Sequence, residues 1–190
     1  MAIGFQGPLG AALSPDGRHL LASSSGAARI HSVDLFDLEA RTRQDFVAYD
    51  ALKAPGESTF YGIVFSPDGR RAWASGGGQN VVHALEVSET GSLREVATIP
   101  TPFFPAGIAY GDTPRGPRLY VANNLSGPAS NLTGNPPGDR VTVIDPAVSA
   151  VTGTIALDVA LQPLGVTFSR DGLKAYVTNW MGRSVSVIDT

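Results

Sequence analysis

The chain has 190 residues, a net charge of −3 and no cysteine. Nothing in that balance offers a basic footprint for nucleic acid, and disulfides, thiolate metal sites and cysteine nucleophiles are excluded. With 43% hydrophobic and 16% charged residues it is expected to build one domain with a sizeable core, and no stretch approaches the apolar length of a membrane span.

In chain order, one phrase recurs four times: a glycine-led strand, a tight turn and a second strand. It runs from Gly10 to Ser14-Pro15-Asp16-Gly17 and from Gly62 to Ser66-Pro67-Asp68-Gly69. Gly107-Ile108-Ala109-Tyr110 is the third copy, and Gly165 to Ser169-Arg170-Asp171-Gly172 the fourth. Repetition at this period means a solenoid, array or propeller, and each unit holds about four short strands, the size of one propeller blade. The turn has a mechanism: proline pre-sets φ, aspartate bonds nearby backbone, and glycine takes the left-handed conformation that closes the hairpin. Lacking a Cβ, the leading glycine lets another backbone approach closely.

A third strand follows in each unit. These strands include Ile30-His31, Val81-Val82-His83, Val141-Thr142-Val143-Ile144-Asp145 and Val185-Ser186-Val187-Ile188-Asp189. Fourth strands are predicted near 43–49, 93–99 and 151–157, with none in the last unit. The expected fold is therefore all-β: a β-propeller of four-stranded antiparallel blades over 8–55, 56–102, 103–159 and 160–190, with fifteen strands in four sheets. The weakest element is 37–43, where Leu38-Glu39-Ala40-Arg41 is compatible with a helical turn.

Tyr176-Val177-Thr178-Asn179, with Tyr120-Val121-Ala122-Asn123 as a second copy, resembles the signature of YVTN-type β-propeller repeats. Trp73-Ala74-Ser75-Gly76 and Leu21-Ala22-Ser23-Ser24 are degenerate copies. The run Ser75–Asn80 followed by Phe104–Ala109 and Leu119–Asn124 is similar to the propeller part of bacterial proteins that join such a propeller to an alkaline-phosphatase-like phosphoesterase domain. The resemblance implies an exported protein, periplasmic or extracellular. Met1-Ala2-Ile3-Gly4 lacks a signal peptide's charged start and apolar core, so the recorded start is not expected to be the natural one. It also implies a seven-bladed ring, of which this chain would be an incomplete part. The alternative is a closed four-bladed ring with residues 2–7 supplying the last outer strand.

Catalytic machinery is not apparent. His31 and His83 occupy corresponding third strands without a third metal ligand, and each is read as a rim or surface residue. No Gly-x-Ser-x-Gly elbow is present, and Ser75-Gly76-Gly77-Gly78 lacks the Lys-Ser/Thr and helix of a phosphate loop. Asp16, Asp68 and Asp171 read as turn residues, and Asp145 and Asp189 as strand ends. No catalytic residue, metal or cofactor is expected. What varies between units is the rim after the second strands: Gln79, Asn80, Asn123, Asn124, Asn179 and Trp180, with Met181 and the inserted loop 125–136. Variable loops on a repeating scaffold are where binding is placed. The expected partner is a protein or covalently linked domain, with a small-molecule ligand as a further option and self-association through uncovered blade faces. A competing class is a lactonase-like propeller hydrolase, hinted at by the wording from Val81 to Leu93. The strand heads facing the funnel are mostly Gly, Ala, Leu and Phe, which favours binding over catalysis.

Overall fold

The computed structural model describes residues 7–25, 30–50, 58–125, 137–157 and 162–190. Among them fifteen strands form four antiparallel sheets arranged as the blades of a β-propeller. Blade I contains β1 (Pro8–Leu13), β2 (His19–Ser24), β3 (Ile30–Asp37) and β4 (Thr42–Asp50). Blade II contains β5 (Ile63–Phe65), β6 (Arg71–Ser75), β7 (Val81–Val87) and β8 (Leu93–Pro100). Blade III contains β9 (Pro105–Thr113), β10 (Gly116–Leu125), β11 (Pro137–Asp145) and β12 (Ala150–Ala156). Blade IV contains β13 (Pro163–Phe168), β14 (Lys174–Asn179) and β15 (Ser184–Asp189).

Each sheet is a meander in sequence order, so the turns between first and second strands lie on one side of the disc, and the links between second and third strands share the other side with the crossing loops. The segment 38–41 is a turn, not a helix: Asp37 accepts the Ala40 amide and Arg41 sits at φ 56°, which stops the chain before a helical turn can propagate. The only helical element among the described residues is the short 3₁₀ turn Gly77–Gln79. Residues 2–6, which would supply the outer strand of a closed four-bladed ring, lie outside the described set.

The Ser-x-Asp-Gly turn is closed three times by the same clamp. Ser14, Ser66 and Ser169 donate their hydroxyls to Asp16, Asp68 and Asp171 at 2.5–2.6 Å. Each carboxylate also accepts the amide two residues on, and each serine oxygen accepts the amide five residues on. Gly17, Gly69 and Gly172 take φ of 70–73°, as the hairpin requires. The serine hydrogen bond, then the backbone one, holds each aspartate below its ordinary range.

Blades pack face to face in sequence order. Alternate residues point to opposite faces, so each blade has a leading face toward its predecessor and a trailing face toward its successor. Leu21, Val33, Leu35 and Tyr49 on the trailing face of blade I meet Ile63, Phe65, Ala74 and Leu85 of blade II. Trp73, Val82 and Ala84 of blade II meet Ile108, Leu119 and Val121 of blade III. Tyr120, Ala122 and Val141 of blade III meet Ala175, Val177 and Ile188 of blade IV, with Val166 and Phe168 against them.

The leading glycines explain how the axis closes up. A Cβ on Gly10 would overlap the carbonyl of Tyr61, one on Gly62 the carbonyl of Ala106, and one on Gly107 the carbonyl of Leu164. Each contact is made by the residue just before the next blade's leading glycine. A hydroxyl caps the glycine amide in three blades: Ser23 on Gly10, Ser75 on Gly62 and Thr178 on Gly165.

Candidate functional site at the loop rim

The polar rim residues are held mainly by backbone. Asn123 is fully buried at the end of β10. Its amide donates to the carbonyls of Pro102 and Phe103, and its oxygen accepts the Thr142 hydroxyl at 2.6 Å. Asn124 donates to Pro163, tying blade III to blade IV. Asn80 sits at φ 59° and accepts the Phe104 amide. Asn179, buried at the end of β14, donates to Ser184 and Ser186. Gln79 ends the 3₁₀ turn. Asn123, Asn124 and Asn179 therefore lie in the last residues of β10 and β14 rather than in loops; Asn123 anchors the chain entering blade III, Asn124 the chain entering blade IV, and Asn179 its own hairpin. Residues 126–136, most of the inserted loop, lie outside the described set.

Trp180 and Met181 differ from all of these. At the tip of the β14–β15 hairpin they are 68% and 62% exposed. The Trp180 backbone amide donates to the Gln162 carbonyl.

Toward the axis, Phe60, Tyr61 and Phe104 form an edge-on aromatic group with ring separations of 5.1–5.4 Å. The Tyr61 hydroxyl donates across to the Leu164 carbonyl of blade IV, and burial pushes its ionisation up to about 12. It is thus a neutral donor that narrows the funnel.

The seam between blades I and II holds a polar cluster that sequence reading missed. His83 and His31 are buried, not on the surface or rim as expected, because partners distant in sequence meet both ring nitrogens of His83 and Nδ1 of His31. His83 Nδ1 lies 2.9 Å from Glu95 Oε1, and Nε2 lies 2.7 Å from the Ser58 carbonyl. Tyr49 stacks on the imidazole at 4.1 Å. Glu95 also accepts the Thr98 hydroxyl at 2.7 Å. Burial pushes the Glu95 carboxyl up, but the His83 and Thr98 hydrogen bonds outweigh it and hold it below the usual range. Burial, then the Glu95 charge, pushes the Tyr49 phenol far up. The ladder alone does not point to the pair: Thr98 is the partner of His83 across the β7–β8 ladder, and a register shift sets Glu95 opposite Leu85.

On the opposite, turn-bearing side, an open depression of about 480 Å³ lies between blades II, III and IV, lined by Ile108, Tyr110, Asp112, Val166, Phe168 and Arg170. Among the described residues no group of three or more His, Asp or Glu is placed to hold a metal ion, and no helix is long and apolar enough to cross a membrane.

No protein-family model matches the chain, and no curated protein matches it. Solved structures do. Hydrazine synthase of Kuenenia stuttgartiensis superposes with a TM-score of 0.72 at 22% identity, covering 100% of this chain and 47% of that one. A protein of unknown function from Desulfotomaculum acetoxidans gives 0.72 at 16% identity, covering 99% and 57%. The periplasmic gluconolactonase of Pseudomonas aeruginosa gives 0.66 at 22% identity, covering 96% and 49%. The chain spans about half the length of these proteins. At such identities the likeness shows the fold.

Proposed function

We propose that this chain is a non-catalytic β-propeller scaffold that binds a protein partner or linked domain through its loop rim. On this reading it belongs to an exported bacterial protein of the YVTN-repeat kind, periplasmic or extracellular, and an alkaline-phosphatase-like phosphoesterase domain is a fitting partner. The observation that carries it is the contrast at the rim. The asparagine side chains are engaged with backbone or neighbouring hydroxyls, while Trp180 and Met181 project apolar surface outward. A small polar ligand calls for convergent polar groups in a concave site, whereas an exposed tryptophan suits a protein contact. The test is titration of the chain with a purified alkaline-phosphatase-like domain taken from a propeller–phosphoesterase protein. Binding that falls about tenfold or more in Trp180→Ala supports the reading. Binding unchanged by that substitution, or turnover of a lactone or phosphoester by the chain alone, overturns it.

The second reading is a lactonase-like hydrolase. It is favoured by the fold likeness to gluconolactonase together with the His83–Glu95 pair, an acid–base couple in an inter-blade seam with His83 buried and Glu95 partly so. Hydrolysis of gluconolactone that disappears in Glu95→Gln would support it; no hydrolysis by the chain would set it aside.

A further inference from the structure

The residues that enter blade II, Ser58 and Thr59, are gripped from both sides by histidines of adjacent blades. His83 Nε2 meets the Ser58 carbonyl at 2.7 Å, and its Nδ1 meets a Glu95 oxygen at 2.9 Å. A carbonyl can only accept, and an ionised carboxylate can only accept. Neutral imidazole has one N–H, so it would leave a ring lone pair facing an oxygen lone pair. Two protons must therefore be shared between the ring and Glu95. Glu95 keeps its charge because the Thr98 hydroxyl donates to the same oxygen, Oε1. Both protons then reside on His83, and the Tyr49 ring 4.1 Å away offers its π face to the cation.

His31 has the opposite requirement. Its Nδ1 accepts the Thr59 amide at 3.2 Å, which needs an unprotonated nitrogen and hence a neutral ring. The Thr59 hydroxyl donates to the Ser24 carbonyl at 2.9 Å, and the Ser58 hydroxyl donates to the Gly76 carbonyl. One dipeptide thus binds blade I and blade II together at four points, two of them on titratable rings.

We propose that Ser58–Thr59 is a clasp of the blade I–II seam held by two histidines in different roles: His83 as a structural imidazolium that donates to both Glu95 and the Ser58 carbonyl, and His31 as a neutral ring that accepts the Thr59 amide. The groups that face His83 are Glu95 from β8, the neutral Tyr49 phenol from β4 and the Ser58 carbonyl. With a neutral His83 one of its two contacts would be repulsive, and with a proton on His31 Nδ1 the Thr59 amide would lose its acceptor. The strap continues into Phe60 and Tyr61, which pack on Phe104 and bond Leu164, so release of the clasp loosens the inner rim. This goes beyond the binding role proposed above and does not depend on it.

Long-range ¹H–¹⁵N correlation of the imidazoles in the ¹⁵N-labelled chain at neutral pH tests the clasp directly. At neutral pH both His83 nitrogens should resonate as protonated, and His31 should show an unprotonated Nδ1. A His83 ring with a single N–H, or a His31 ring protonated at Nδ1, overturns the proposal. Glu95→Gln supplies the second arm. It should convert His83 to a neutral ring and speed exchange of the Thr59 amide about tenfold. Thr59 exchange unmoved by that substitution, with His83 neutralised, would overturn the clasp.

Discussion

The trailing faces of blades II and IV carry matching residues in matching places and meet different surroundings. Trp73 pairs with Ala84 and Ser75 with Val82 in blade II; Tyr176 pairs with Val187 and Thr178 with Val185 in blade IV. Trp73 is 1% exposed beneath blade III, whereas Tyr176 is 36% and Val185 57% exposed. The ladder registers are the same, so the apolar face arises from strand alternation within each repeat and not from the neighbour that covers it. Burial is then a property of the joint, and the joint decides what a substitution costs.

Introducing a charge should separate the two faces most sharply. Val82→Asp places an unpaired carboxylate in the blade II–III core and is expected to cost on the order of 4 kcal/mol, measured by denaturant unfolding. Val185→Asp should change stability by about 0.5 kcal/mol or less. The uncovered face should also make the purified chain self-associate through blade IV, and Val185→Asp should reduce the mass seen by light scattering. Equal destabilisation by the two substitutions would break the comparison.

The leading glycines sharpen it next. Gly62→Val forces a side chain against the Ala106 carbonyl of the next blade and should cost about 3 kcal/mol in thermal or denaturant unfolding. Gly165→Val meets only the Thr178 hydroxyl at close range, which can rotate away, and should cost about 1 kcal/mol.

Turn glycines follow. Gly69→Val and Gly172→Val each strain a positive φ, at about 1–3 kcal/mol. Gly172→Val should be the worse of the two, because its Cβ would also run into the Asp112 carbonyl, while Gly69 has only Pro15 at contact distance. Matching melting temperatures for the two variants would contradict that ordering.

Acid should act least and locally. Asp16, Asp68 and Asp171 have folded ionisation points below their unfolded ones, so their stabilising contribution is present at neutral pH, above the unfolded value. It is lost as pH falls through the lower folded value. Ser66→Ala should move the Asp68 carboxylate titration, read by ¹³C NMR, upward toward the ordinary range. The corresponding blade III turn, where Thr113 bonds Gly116 and Arg115, has no aspartate in that role and serves as the internal control.

The blade plan was legible because its signals are local. The repeated turn, the alternation and the leading glycine each act within a few residues, and the fifteen strands follow from them. Reading those glycines as points of close approach was sound, though only the structure shows that the visitor is the carbonyl before the next glycine. The histidines were misjudged for the converse reason. His83 owes its burial to Glu95, Ser58 and Tyr49, which no spacing rule brings together. The rim asparagines were legible as positions, but the hydrogen bonds of Asn80, Asn123 and Asn124 reach the preceding or following blade connection, a matter of how the chain returns to the axis, while Asn179 bonds within its own hairpin. Trp180 and Met181 were legible as rim positions in the link between β14 and β15, but their exposure is seen only in the structure.

The glycine-to-carbonyl contact at the axis also has a handedness of assembly. Blades I, II and III each offer a slot at the leading glycine, and blades II, III and IV each insert the carbonyl before theirs into the slot of the predecessor, so the joint is head-to-tail. Joints of that kind close into a ring or wind into a filament according to the rotation each one imposes. The number of blades is therefore an angular quantity, set by how near the axis glycine lets successive backbones come. A bulkier residue at those positions would widen the hub and favour a ring of higher count.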